Sequence, residues 1–93
     1  MNKTRLIILF DYYGDLLTEK QKNVFSDYHL DDMSFKEISE NDNISRTAIF
    51  KQVKKVEQKL EEYEKILHLY EKSLMIKEII KNEVLISKIE EFI

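Results

Sequence analysis

Residues 34–56, SFKEISENDNISRTAIFKQVKKV, decide the fold. Ser34 stands three residues before Glu37, the spacing of a capping box, in which a hydroxyl accepts from the third helical amide and the acid reaches back to the cap. With Phe35 and Ile38 on one face, the spacing predicts a short helix over 35–41. Asn41-Asp42-Asn43 then forms a turn, because Asn and Asp tolerate left-handed backbone and make side-chain turns. Ser45 caps the helix that follows. A short helix, a tight turn and a second helix opening on polar residues describe a helix-turn-helix. Ile38, Ile44, Ile49 and Val53 are its expected buried positions, with Ser39 at the close approach of the two helices. Arg46, Thr47, Phe50, Lys51, Lys54 and Lys55 are expected to face outward and are the candidate nucleic-acid-binding residues.

Downstream, Ile49, Val53, Val56, Leu60, Tyr63, Leu67, Tyr70 and Leu74 step alternately by four and three, which predicts one long helix from 46 to about 71. At 1.5 Å per residue it would be roughly 39 Å long, more than a three-helix head can cover. The repeat fails at Lys77 and Lys81, while a new apolar set begins with Met75, Ile76, Ile79 and Ile80 and continues at Ile86, Ile89 and Ile93. A bend at Ser73 and a last helix over about 74–92 are expected, its apolar face covered by the first helix, the long helix or a second copy. The chain thus divides into a helix-turn-helix domain over 1–72, containing the long fourth helix, and a C-terminal helix over 73–93 expected to dimerise.

Upstream, Thr4 to Tyr13 carries apolar residues at helical spacing up to Gly14, where a left-handed C-terminal cap is expected. Thr18 and Gln21 repeat the capping-box spacing, so a second helix is expected over about 19–30. Phe10, Tyr12 and Tyr13, and also Tyr63 and Tyr70, are read as packing aromatics rather than a base-stacking surface.

With 93 residues, one Gly, no Pro and no Cys, the chain is expected to be a small all-α protein without disulfide, thiolate metal site or glycine-rich phosphate loop. His29 and His68 have no nucleophile or orienting partner in the pattern, so no enzyme, metal or cofactor is expected. The longest apolar run, Leu6 to Phe10, is far short of the roughly 20 residues of a membrane span, and a cytoplasmic protein is expected. Charge is unevenly placed. Residues 1–45 carry 5 basic and 9 acidic groups, 46–59 carry 5 and 1, and 60–93 carry 5 and 8. The basic excess of a chain with net charge −3 is therefore confined to the start of the long helix, where it can steer a phosphate backbone.

The runs FDYYGDLLTEKQ (10–21), YHLDDMSFKEIS (28–39) and ISRTAIFKQVKKVEQKLEEYEKIL (44–67) resemble the YlxM family of small bacterial DNA-binding proteins. That resemblance implies a helix-turn-helix head like region four of sigma factors, with a long recognition helix and a C-terminal helix. It also implies a regulatory role in the signal recognition particle pathway, since the family's gene commonly lies beside that of the particle's GTPase. By the family pattern Ser45, Arg46 and Lys54 fall at the start of and along the recognition helix, and Phe10, Tyr13, Gly14, Leu17, Thr18 and Gln21 in the first-helix signature. Asn41-Asp42-Asn43 departs from the glycine-containing turn frequent in that family. Two functions follow as expectations: a homodimeric DNA-binding regulator, or an accessory protein whose basic helix contacts the particle's RNA or GTPase.

Overall fold

A computed structural model describes residues 2–91, leaving the side chains of 85–87 and 89–91 aside. Of the expected tail face, the side chains of Ile86 and Ile89 and the whole of Ile93 lie outside the described residues. Five α-helices follow in order: α1 Lys3–Tyr13, α2 Glu19–Phe25, α3 Phe35–Asp42, α4 Arg46–Leu67 and α5 Leu69–Glu91. No strand occurs among the described residues, and the fold is all-α, with α3 and α4 as the helix-turn-helix.

Local chemistry sets most boundaries. The Thr18 hydroxyl accepts from the Gln21 amide at 3.2 Å while Gln21 Oε1 accepts from the Thr18 amide at 3.0 Å. Ser34 and Glu37 make the same reciprocal pair at 3.1 and 3.3 Å, and the Ser45 hydroxyl accepts from the Ala48 amide at 3.1 Å. Asn43 ends α3 with φ 57°, the left-handed backbone the turn requires. The Ser39 hydroxyl donates to the Ile44 carbonyl, tying α3 to the turn at the helix crossing.

Three expectations are corrected. Gly14 is right-handed, with φ −55°, and begins a 3₁₀ turn over Gly14–Leu16. Its missing Cβ matters for another reason: a methyl group there would stand 3.3 Å from the ring of Phe10, which stacks on Phe25 at 4.5 Å. The second helix keeps α geometry only to Phe25, and Ser26–Leu30 forms a π turn, with the Asp31 amide donating to the Ser26 carbonyl at 2.9 Å. The long helix ends at Leu67, and the bend falls at His68, φ 56°, rather than at Ser73.

The core takes one apolar stripe from each of α1, α2, α3 and α4. Leu6, Leu9, Tyr13, Leu17, Val24, Phe25, Ile38, Ile49, Val53, Val56 and Leu60 are buried, and Tyr63 and Tyr70 pack half-buried at its edge. The periodic stripe of α4 is thus the wall against which the other helices close. Ile44, expected in the core, is half-buried beside it.

The joint between α4 and α5 is polar and enclosed. Glu64, 6% exposed, accepts from the Tyr13 hydroxyl of α1 and from the Tyr70 and Glu71 amides of α5 at 3.0 and 3.2 Å. The Tyr13 oxygen in turn accepts from the Leu69 amide at 3.0 Å. The first three amides of α5, which no turn of helix can satisfy, are therefore met by side chains of α1 and α4. Burial raises the carboxyl pKa of Glu64, but the Tyr13 hydroxyl, the two amides and the Arg5 guanidinium outweigh it and the net shift is downward. Burial, and then the Glu64 carboxylate, push the Tyr13 phenol upward, so one partner stays a neutral donor and the other an ionised acceptor. Tyr12 completes the contact, its ring 6.2 Å from that of Tyr70 and its hydroxyl donating to Ser73 Oγ at 2.7 Å. Beyond Ser73 every described side chain of α5 is exposed, and the molecule reaches 66 Å along its longest axis.

Two outcomes test this packing. Ile49→Ala should destabilise by about 2 to 5 kcal/mol and Ser45→Ala by about 0.5 to 2 kcal/mol, an order that urea melts resolve; an Ile49→Ala protein that melts like the parent would mean the phase of α4 is wrong. Glu64→Gln should destabilise by about 1.5 to 3 kcal/mol at pH 7, the scale of hydrogen bonds to a charged group. Because the folded pKa lies below the ordinary 4.5, that stability is fully present above about pH 4.5 and is lost as pH falls through the folded value. Thermal melts between pH 7 and 3 should show the difference from the parent shrinking toward the acid end.

Candidate nucleic-acid interface

The candidate residues occupy the first half of α4, and helical geometry brings them to one side. Arg46, Phe50 and Lys54 recur at four-residue steps, with Thr47, Lys51 and Lys55 in the adjoining row. All six are exposed, while Ile49, Val53 and Val56 on the opposite side are fully buried. This face therefore carries four cations around one aromatic ring and forms no part of the core.

Phe50 and Lys54 are held in place. The Phe50 ring, 46% exposed, meets Phe35 of α3 edge-on at 5.8 Å, and Lys54 Nζ lies over it at 5.6 Å from the centroid. Phe35 stacks on Tyr28 at 4.6 Å, and Tyr28 meets His29 edge-on at 4.9 Å, so an aromatic chain runs from the π turn to the basic face. Beneath that face, Glu57 is 3% exposed; its Oε1 accepts from Lys54 Nζ at 3.2 Å and its Oε2 lies 2.8 Å from Nε2 of buried His29. Lys54 is thus directed by a buried acid. Arg46, Lys51 and Lys55 make no ion pair among the described residues.

Sequence reasoning missed this support. His29, expected to lack an orienting partner, has one in Glu57. A signal existed: position 57 follows Val53 by one helical turn and position 64 follows Leu60 likewise, so both acids stand on the buried stripe of α4. His29 is enclosed by the rings of Phe25 at 4.6 Å and Tyr28, a setting of packing and charge placement. His68 caps the bend and pairs with Glu71 at 2.9 Å on the surface.

No described helix is long and apolar enough to cross a membrane. A family described as "Putative helix-turn-helix protein, YlxM / p13 like" matches residues 1–91. This is a helix-turn-helix family and not an enzyme family. The UPF0122 protein of Oceanobacillus iheyensis is 49% identical over 69 residues, covering 74% of this chain and 66% of its own length. That of Shouchella clausii is 48% identical over 73 residues, covering 77% and 67%. That of Lactococcus lactis subsp. cremoris is 40% identical over 95 aligned positions, covering 94% and 86%. The chain therefore spans about two thirds of the first two relatives and most of the third. With the helix-turn-helix observed over α3 and α4 and the match extending from the first residue to the end of α5, the chain belongs to the YlxM/p13-like UPF0122 family.

Proposed function

We propose that this protein is a regulatory helix-turn-helix DNA-binding protein that lays the first half of α4 in a major groove and acts as a homodimer. The observation that carries the reading is the exposed basic face of Arg46, Lys51, Lys54 and Lys55 on the second helix of the motif, in a chain whose net charge is −3. An acidic protein whose local excess of cations falls on one exposed helix favours phosphate at that helix over the rest of its surface. In this reading Lys51, Lys54 and Lys55 contact phosphates, Arg46 reaches a guanine edge, and Thr47 and Phe50 make hydroxyl and apolar contacts to the bases between. Buried Glu57 aims Lys54, and Phe35 fixes the Phe50 ring, so two of the six groups meet the groove already oriented. The signal recognition particle pathway enters as the cellular setting on the strength of the family resemblance.

Fluorescence titrations with duplex DNA at several salt concentrations test this reading. Lys51 and Lys55 are the pair to change, since neither supports a buried group. Lys51→Ala with Lys55→Ala should flatten the slope of log affinity against log salt by roughly 1 to 2 units, because each lost phosphate contact removes about 0.9. Arg46→Ala should instead narrow the gap between the best and random sequences by about 1 to 3 kcal/mol. If the parent binds no duplex at low salt, the reading fails, and binding of the particle's RNA or GTPase would then assign the basic face to the accessory role.

A further inference from the structure

We infer that the nucleic-acid interface continues from α4 onto α2, and that the cleft between these two helices takes a sugar-phosphate strand of the duplex between Lys20 and Lys55. This rests on the reading of α4 as a helix in a major groove and adds a second element to it. A helix about 10 to 12 Å across fills a groove about 12 Å wide, so a strand runs along each of its flanks. One flank of α4 meets α3, where Phe35 packs on Phe50. The other meets α2, and there the helices leave a cleft of about 200 Å³ lined by Thr18, Lys20, Gln21, Val24, Gln52 and Lys55.

The polar groups free in this cleft are mostly donors. Lys20 and Lys55 are exposed, and neither makes an ion pair among the described residues. The capping box of α2 takes up acceptors: Thr18 Oγ accepts from the Gln21 amide and Gln21 Oε1 from the Thr18 amide. The Thr18 hydroxyl hydrogen and the Gln21 side-chain NH₂ are left over. No carboxylate lines the cleft among the described residues, and buried Val24 lies beneath it. Two cations and two neutral donors suit a group that is anionic and only accepts, which a phosphodiester is.

The acids nearby bound this track without entering it. Asp15 and Glu19 are drawn to Lys22, at 3.4 and 3.5 Å, and helical spacing puts Glu19 and Lys22 on the opposite side of α2 from Lys20 and Val24. Asp27 and Asp42 line a neighbouring cleft that shares Lys20, Val24 and Gln52. Burial, and then the charges of Asp42 and Asp31, raise the Asp27 carboxyl pKa, the mark of a locally negative field. A strand between Lys20 and Lys55 therefore leaves toward Thr18 and away from Asp42.

Lys20→Ala tests this, because the residue is exposed and lies off α4, so its loss leaves the core and the α4 face as they are. In fluorescence titrations of the full chain with duplex DNA, the slope of log affinity against log salt should flatten by about 0.9, which is about a 3.5-fold smaller loss of affinity over a fourfold rise in salt. The ratio of affinities for the best and random sequences should not change, since a phosphate contact carries no sequence information. Lys20→Arg should keep the parent's slope. Lys65→Ala, which removes the same charge near the far end of α4, should keep it too. A Lys20→Ala protein whose slope changes no more than that of Lys65→Ala overturns the α2 track; if Lys51→Ala with Lys55→Ala still flattens the slope, the reading of α4 stands without it. A parent that binds no duplex at low salt overturns both.

Discussion

The shape of this protein depends on one buried carboxylate. Glu64 sits where α1, α4 and α5 meet, and with the Tyr13 hydroxyl it satisfies the three leading amides of α5. An ionised acid in so enclosed a place is unfavourable unless its lone pairs are filled, and here donors from two other helices fill them. Without it α5 would begin with orphaned amides, and nothing would oblige the chain to turn at His68. The left-handed backbone of that residue is the local strain that the joint holds in place.

From this joint the molecule divides its tasks along one axis. The core stripe of α4 holds the helix-turn-helix together, the opposite side of its first half gathers the cations, and its last turn supplies Glu64. A second buried acid, Glu57, lies two turns earlier on the same stripe and connects His29 in the core to Lys54 on the surface. Both acids are therefore structural charges with outward consequences. One fixes the direction of α5, and the other fixes the direction of a basic side chain.

Much of this was legible in the sequence because it rests on short-range rules. The caps at Thr18, Ser34 and Ser45, the left-handed Asn43 and the phase of Ile49, Val53, Val56 and Leu60 all follow from spacing. What escaped depends on contacts between distant segments. The alternation of four and three runs unbroken through Leu67, Tyr70 and Leu74, so periodicity alone carries the helix past the true bend at His68, which Glu64 imposes together with Tyr13, 51 residues before it in the chain. Gly14 looked like a helix cap because glycine commonly ends helices, whereas its role is to admit the Phe10 ring. Glu57 and Glu64 were hidden by their charge: polar residues on an apolar stripe read as solvated until the partner that neutralises them is located. The candidate residues on α4 were legible as an exposed basic face; the support beneath Lys54 was not.

The account's central claim is that nucleic acid docks on the first half of α4 and leaves α5 untouched. Amide spectra of isotope-labelled full-length protein, titrated with a duplex DNA at low salt, test it most directly. The account predicts that the largest shifts cluster within residues 45–55 and the facing turn of α3, while the amides of 74–84 stay in place. Shifts centred on α5 or on the acidic faces, or a spectrum that DNA leaves unchanged, would contradict it.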